Sequence, residues 1–148
     1  MNISYQIFYK EKLVIQKFVG DFDFKEYMNY AQSVMQKIDP KTINKVIIDI
    51  REINYNDVPD DFIEGIEKMI KIRKDITEEK IKRNDITHIF WVDKPMPTVI
   101  SQIFIQNMPD LKYHYCSTKK KVLDQLGLKE SFDDLDIIIE HLENNFEH

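Results

Sequence analysis

Glycine, cysteine and long apolar runs are scarce in this chain of 148 residues. The single cysteine, Cys116, cannot form an internal disulfide, which suits a reducing compartment. With only three glycines, the chain has no glycine-rich loop of the kind that cradles phosphates. The longest apolar runs, such as 46–48, are too short to cross a membrane, and the first residues lack the basic and apolar regions of a secretory signal. We therefore expect a cytoplasmic protein with no membrane span.

Composition and charge narrow the class of protein further. Hydrophobic residues make up 43% of the chain, enough for a sizeable core, and the length predicts one domain over 1–148. The net charge of −5 arises near the C-terminal end, since residues 128–148 hold seven acids against one lysine. The remaining residues hold 20 bases and 19 acids. A body that is nearly neutral lacks the positive field that attracts a phosphate backbone, so we expect no nucleic-acid binding.

The first part of the chain has the pattern of a hairpin, a helix and a buried strand. Apolar runs at 3–9 and 12–19 predict a β-hairpin whose second strand ends at Gly20. Asp23, with Glu26 three residues later, is typical of a helix N-cap, and Asp39-Pro40 is expected to end that helix. The run 44–50 is too short for a helix and almost entirely apolar, which indicates a parallel or central strand covered on both faces.

The same alternation continues along the rest of the chain. A helix is predicted to begin near Pro59, with the apolar stripe Phe62, Ile63, Ile66, Met69 and Ile70. Strands are predicted at 86–92 and 111–116, separated by a helix that Pro97 opens and Pro109 ends; Ser117-Thr118 then starts a helix that Gly127 closes. The predicted fold is α/β: an N-terminal β-hairpin followed by alternating strands and helices, giving a mixed sheet of about five strands with helices packed on it.

The last predicted helix, at about 131–146, is acidic and amphipathic. Its apolar stripe consists of Phe132, Leu135, Ile138, Ile139, Leu142 and Phe146. This stripe must be buried, either on the chain's own sheet or on a second copy of the chain. Packing within the chain is favoured, and a homodimer through this helix is the alternative.

The order of these elements is similar to that of a known family. Over about residues 3–127 the chain resembles STAS domains (the sulfate-transporter and anti-sigma-factor-antagonist fold) and in particular their SpoIIAA-like branch of stand-alone bacterial proteins. The resemblance rests on the element order, on an apolar strand that ends in Asp49-x-Arg51, and on the helix start Ser117-Thr118 followed by Leu126-Gly127. It implies a non-enzymatic regulatory or protein-interaction role with an unknown protein partner.

The sequence departs from the family pattern after the central strand. In the better-known members, the helix that follows this strand begins with a Ser or Thr that a partner kinase phosphorylates. Residues 49–65 here contain neither, and Asp57, Asp60 and Asp61 place permanent negative charge at the predicted helix start instead. The resemblance therefore supports the fold and a binding role, and we expect the phosphorylation mechanism to be absent.

The carboxyl ends of the predicted parallel strands are the expected place for a site, because ligands of open α/β sheets bind beyond those ends. The candidate partner- or ligand-binding residues at these ends are Arg51, Asn54, Asn56, Asp57, Lys94, Ser117 and Thr118. Arg51 is expected to pair with a ligand carboxylate, or with Asp57 or another acid of the chain. The three lysines at 119–121 either bind an anion together with the helix N–H groups or form a solvated surface run.

Catalytic and metal chemistry have little support in the sequence. Cys116 and His114 fall on one face of a predicted strand, and we expect an inert buried cysteine and no catalytic residue. The four histidines (His88, His114, His141 and His148) lack metal-ligand spacing, so no metal or other cofactor is predicted. The alternative function is a small-molecule or lipid carrier with an apolar pocket between helices and sheet.

Overall fold

A mixed β-sheet organises the described part of the chain. This computed structural model describes residues 1–55, 64, 65, 67, 68, 71, 85–107, 112–128 and 132–147. Within these residues the strand order is β5-β4-β3-β2-β1-β6; β2 to β5 are parallel to one another, while β1 and β6 run antiparallel to their neighbours. The strands are β1 Asn2–Phe8, β2 Leu13–Asp21, β3 Lys45–Asn54, β4 Thr87–Trp91, β5 Lys112–Cys116 and β6 Asn144–Asn145. The predicted α/β fold with its N-terminal hairpin is confirmed, with one very short strand beyond the five.

Helices cover both faces of this sheet. The described helices are α1 Phe24–Ser33, a 3-10 helix Met35–Lys37, α2 Pro95–Gln106, α3 Lys119–Leu126 and α4 Leu135–Glu140. Two predicted caps of these helices are confirmed. The Asp23 side chain accepts a hydrogen bond from the N–H of Glu26 at the start of α1, and Gly127 ends α3 in the left-handed conformation.

Alternation along the strands divides the core between the two faces. On the α1–α2 face lie Phe18, Ile48, Phe90, Phe104 and Tyr113, among others. On the α3–α4 face lie Leu13, Ile47, Trp91, Val122 and Leu135, among others. The central run 46–50 is buried throughout because β3 has a parallel neighbour on each side and helices on both faces. The predicted position of this run is therefore confirmed.

Two boundaries in the first part of the chain differ from the predictions. β2 continues through Gly20 to Asp21. Its pairing with β3 shifts register between Lys17 and Val19, as at a β-bulge, and resumes beyond it. Gly20 allows this because it adopts a φ of +96°, which residues with a side chain disfavour. Helix α1 ends at Ser33 and not at Asp39. The chain tightens there into the 3-10 helix, which turns Ile38 back into the core.

The C-terminal helix is much shorter than predicted. Helix α4 spans six residues, Leu135–Glu140, and the chain then forms β6, which pairs with β1. Leu142 packs on the α3–α4 face, whereas Phe146 packs on the α1–α2 face against Tyr30. The helical spacing at 131–146 was misleading because the backbone groups at the edge of β1 offer pairing that ends the helix. The predicted start near Ser131 lies outside the described residues.

The predicted helix after β3 falls largely outside the described residues, as do Asn56, Asp57 and the apolar stripe from Phe62 to Ile70. The described positions 64, 65, 67, 68 and 71 are helical. A Cβ on Gly65 would lie 2.8 Å from the ring of Phe24, so the ring would have to shift to admit any other residue at this position. No helix among the described residues is long and apolar enough to cross a membrane.

Candidate functional site

The carboxyl ends of β3, β4 and β5 bring together several of the candidate residues. The N–H of Val92 donates a hydrogen bond to the carbonyl of Cys116 (2.9 Å), so the segments that follow β4 and β5 leave the sheet side by side. Lys94 follows β4, and Ser117 and Thr118 follow β5; all three are exposed. We call these three residues and Arg51 the carboxyl-edge surface.

Arg51 is held in place by Asp49 and Trp91. Its Nε and Nη2 donate to the two carboxylate oxygens of Asp49 at 2.9 and 2.8 Å, and its guanidinium lies 3.7 Å from the ring centroid of Trp91. These hydrogen bonds raise the pKa of Arg51, against a smaller opposing effect of burial. About a quarter of the arginine side chain stays exposed, while Asp49 is buried. Asp49 is thus an acid of the chain that pairs with Arg51, whereas Asp57 lies outside the described residues; the pair orients the guanidinium in advance.

The other candidates divide between this surface and its surroundings. Thr118 caps α3 by accepting a hydrogen bond from the N–H of Lys121 (3.2 Å), as predicted for this helix start. Asn54, at the end of β3, lies beside β2, and its side-chain amide donates a hydrogen bond to the carboxylate of Asp21 at 3.4 Å. Arg51, Lys94, Ser117 and Thr118 thus lie at the same end of the parallel strands, and Asn54 lies at that end beside β2.

The lysines at the start of α3 are partly engaged within the chain. Lys119 Nζ donates to the carbonyl of Asp133 and pairs with the carboxylate of Asp136, both at 3.1 Å. These contacts tie α3 to α4. Anion binding by 119–121 stays a prediction.

A buried lysine that was not predicted as a site residue lies on β2, next to the strand that carries Arg51. Lys17 of β2 faces the α3–α4 side, and its Nζ contacts Glu52 and Glu140, both at 2.8 Å. Burial lowers the pKa of Lys17, but the hydrogen bonds to Glu140 and Glu52 outweigh burial and leave it raised. The period-2 pattern contained the signal, because Lys17 shares a face with the fully buried Leu13 and Ile15.

The burial and contacts of Cys116, His114 and His88 bear on whether these groups can react or bind a metal. Cys116 is buried, and burial raises the pKa of its thiol against the smaller lowering effect of Lys121. His114 is exposed on the same strand face, and within the described residues no hydrogen bond joins it to Cys116. His88 is buried and stacks on Tyr113 with a ring separation of 4.2 Å. Across the described ranges, no group of His, Cys, Asp and Glu residues could hold a metal ion.

A small apolar cavity lies between α1, α2 and the sheet. Its volume is about 60 Å³, and its described lining includes the rings of Phe18, Phe22, Tyr55 and Phe90. Ser101 is the small polar residue of this lining, and its hydroxyl donates to the carbonyl of Pro97 at 2.8 Å. Burial raises the pKa of Tyr55, so its phenol stays neutral.

Exposed apolar side chains cluster on α2 and β5. Met96, Val99 and Tyr115 are 46%, 47% and 43% exposed, and Gln102 donates a hydrogen bond to the hydroxyl of Tyr115 (2.9 Å). We call these four residues the α2–β5 surface. This surface was not predicted, although the lack of charged residues from 95 to 109 is visible in the sequence.

Comparison with solved structures defines the class of this fold. The chain has a SpoIIAA-like fold, the fold of STAS domains, which confirms the predicted resemblance. A similar crystal structure is that of an uncharacterized protein of the DUF3478 family from Shewanella loihica PV-4, with 14% sequence identity and a TM-score of 0.50. The match covers 85% of this chain and 95% of that one. No protein-family model and no curated protein matches the chain.

Proposed function

We propose that this protein is a non-enzymatic regulatory domain that works by binding another protein. The carboxyl-edge surface is the proposed binding site, and the phosphorylatable Ser or Thr of the better-known STAS domains is absent from residues 49–65. The SpoIIAA-like fold supports this proposal as an analogy, since fold alone does not define function.

The observation that carries the proposal is the preorganised Arg51. Arginine is enriched among the residues that contribute most to protein–protein binding. The carboxylate of Asp49 and the ring of Trp91 restrict its guanidinium before any partner arrives, which lowers the entropy lost on binding. Lys94, Ser117 and Thr118 follow the ends of the neighbouring parallel strands and offer exposed polar groups, as in the rim of an interface.

The chemistry of Cys116 favours binding over catalysis. A thiol whose pKa is raised by burial carries little thiolate at neutral pH, and the thiolate is the nucleophile. Arg51 is already paired with a carboxylate of the chain, so it is better suited to a rigid contact than to stabilising a developing charge.

The carrier alternative has weaker support. Pockets for small molecules usually measure roughly 300–1,000 Å³. The apolar cavity described above has about 60 Å³, which is much too small for a lipid. Native mass spectrometry of the purified protein checks this alternative, because a co-purified ligand would appear as added mass.

Affinity capture with matched variants tests the proposed site. The wild type, Lys94→Glu, Ser117→Glu and the control Lys10→Glu are immobilised, and proteins retained from a lysate of the source organism are quantified by mass spectrometry. Lys10 is exposed in the hairpin turn at the opposite end of the parallel strands, so its charge reversal leaves the site intact.

We expect the wild type and Lys10→Glu to retain the same protein. Each edge variant should lower its capture about tenfold, the equivalent of about 1.4 kcal/mol of binding free energy. Equal capture by all four forms, or no protein retained above background by the wild type, would contradict the proposal.

A further inference from the structure

The outer edge of β1 is only partly covered by the described rest of the chain. β1 spans seven residues, Asn2–Phe8, whereas β6 pairs with it at two positions, Ser4 and Tyr5. The backbone N–H of Phe146 adds a hydrogen bond to the carbonyl of Ile3 at 2.9 Å. A strand edge with unpaired backbone groups is a template for another strand, so the part of β1 beyond β6 is a candidate docking site.

Alternation along β1 shows which backbone groups point to this edge. The carbonyls of Ile3 and Tyr5 both accept hydrogen bonds from the C-terminal segment, at 2.9 and 3.2 Å. In an antiparallel pair, every second residue directs both its N–H and its C=O to the same neighbour. The N–H and C=O of Ile7 therefore also point to the outer edge. None of the described residues forms a hydrogen bond with them there.

The C-terminal segment does not extend along the edge to Ile7. The pairing of Tyr5 with Asn144 would place Leu142 opposite Ile7 if β6 continued in the same register. Leu142 packs instead on the α3–α4 face. β6 is therefore only two residues long, and both of its residues are exposed. A longer extended segment could pair along the whole of β1 and so form more backbone hydrogen bonds than β6 forms.

The contacts of the C-terminal segment show which kind of strand fits this edge. The segment runs antiparallel to β1, and the side-chain amide of Asn144 donates to the carbonyl of Tyr5 at 3.2 Å. Two residues later, the ring of Phe146 packs edge-on against the fully buried Tyr30. Main-chain hydrogen bonds give an added strand its affinity, and contacts of alternate side chains give it specificity. A matching partner therefore presents an extended segment with an aromatic side chain at the position of Phe146.

We propose that the edge of β1 is a docking site for an extended segment of another protein, and that residues 144–146 are an autoinhibitory strap over this site. The incoming strand pairs first with the open end at Ile7 and then displaces the strap from Tyr5 and Ile3. The strap is favoured because it belongs to the same chain, so the extra pairing at Ile7 is what lets an external strand compete. This inference goes beyond the proposed function and uses no residue of the carboxyl-edge surface.

Peptide binding to the full chain tests this docking site. The probe is a fluorescent peptide with the sequence of residues 141–147, which reaches Ile7 in the register of β6, and its affinity is measured by fluorescence anisotropy. Phe146→Ala removes the ring that anchors the strap, so it should bind the peptide at least about tenfold more tightly than the wild type. The matched control Ile137→Ala removes an exposed side chain of α4 and should bind like the wild type.

A second variant and two altered peptides show whether a folding defect causes the tighter binding. Asn144→Ala removes the side-chain hydrogen bond to Tyr5 and leaves the ring of Phe146 in place, and it should also bind more tightly than the wild type. The peptide with Phe146→Ala lacks the aromatic anchor, and the peptide with Asn144→Pro lacks a backbone N–H for the edge of β1. Both altered peptides should bind much more weakly than the original.

Hydrogen exchange at the amide of Ile7 locates the bound peptide, because this amide should exchange more slowly once an added strand pairs with it. No binding to either strap variant, equal affinity for the wild type and both variants, undiminished binding of the proline peptide, or unchanged exchange at Ile7 would overturn the inference. The capture experiment uses Lys94 and Ser117, which follow β4 and β5 on the other side of the sheet from β1. Failure of the strand site and failure of the proposed function are therefore distinguishable.

Discussion

Lys17, Asp49 and Arg51 are charged residues at strand positions whose side chains face the α3–α4 core. Each has a partner at hydrogen-bond distance: Lys17 contacts Glu52 and Glu140, and Asp49 contacts Arg51. Charges are tolerated near a core only when they are paired in this way, because an isolated buried charge loses its hydration without compensation. The pairs also join distant parts of the chain, since Lys17 and Glu140 are 123 positions apart.

The Lys17 contact predicts a measurable change in the titration of Glu140. The hydrogen bond from Lys17 holds the pKa of Glu140 below its ordinary value. The contact therefore stabilises the fold fully at a pH above the ordinary glutamate pKa. This stabilisation is lost as the pH falls through the lowered pKa of Glu140. In Lys17→Met, the pKa of Glu140 should rise towards the ordinary glutamate value, measured by NMR of its side-chain carboxyl.

Glu64 serves as the control in the same samples. Its pKa is lowered by its own contact with Lys68, which the substitution does not touch, and it should titrate alike in both proteins. An unchanged Glu140 titration in Lys17→Met would contradict the described contact.

At the scale of single elements, α3 combines an unfavourable charge distribution with favourable ends. Three lysines occupy its first turn, where the helix dipole disfavours positive charge. Thr118 caps the free N–H of Lys121, and Lys119 is paired with Asp136 of α4. At the other end, Gly127 takes a φ of +67° that a residue with a side chain adopts only with strain.

The cap of α3 predicts a specific loss of stability. Thr118→Ala should lower the free energy of unfolding by about 1 kcal/mol, measured by urea denaturation, because the N–H of Lys121 loses its acceptor. Thr118→Ser keeps a hydroxyl at the same position and should retain most of the stability. If serine and alanine are equally destabilising, the capping hydrogen bond is not the cause.

At the scale of the whole molecule, the C-terminal segment wraps around one edge of the sheet. Leu135 and Ile139 pack on one face, β6 pairs with the edge of β1, and Phe146 reaches the other face. There the Phe146 ring packs edge-on against the Tyr30 ring, with 5.4 Å between the ring centroids. The backbone N–H of Phe146 donates a hydrogen bond to the carbonyl of Ile3 at 2.9 Å. The edge of β1 is thereby paired along part of its length, which reduces its availability to other chains.

Removing the Phe146 ring tests this arrangement. Phe146→Ala should lower the free energy of unfolding by about 2 kcal/mol, less than a fully buried phenylalanine would, because the ring is partly buried. Hydrogen exchange should also become faster at the amide of Phe146 and in β6. The control Ile137→Ala removes an exposed side chain and should change stability by less than about 0.5 kcal/mol. Equal effects of the two substitutions would contradict the wrapped arrangement.

Local patterns were sufficient for most elements of this fold. The apolar run at 46–50, the cap at Asp23 and the closing Gly127 each depend on residues within a few positions, and the structure agrees with all three. The boundary of the C-terminal helix failed because it depends on a remote partner. Residues 144–145 leave the helical pattern because β1 offers them backbone hydrogen bonds from the other end of the chain.

The same distinction applies to the candidate site. Strand order and the carboxyl-end rule placed Arg51, Lys94, Ser117 and Thr118 at one end of the sheet, since parallel strands end together, and that they form a binding site stays a prediction. Which acid holds Arg51, where Lys17 finds its carboxylates, and which apolar residues of α2 stay exposed could not be read from one-dimensional spacing. These depend on distances between segments far apart in the chain, and folding alone brings those segments into contact.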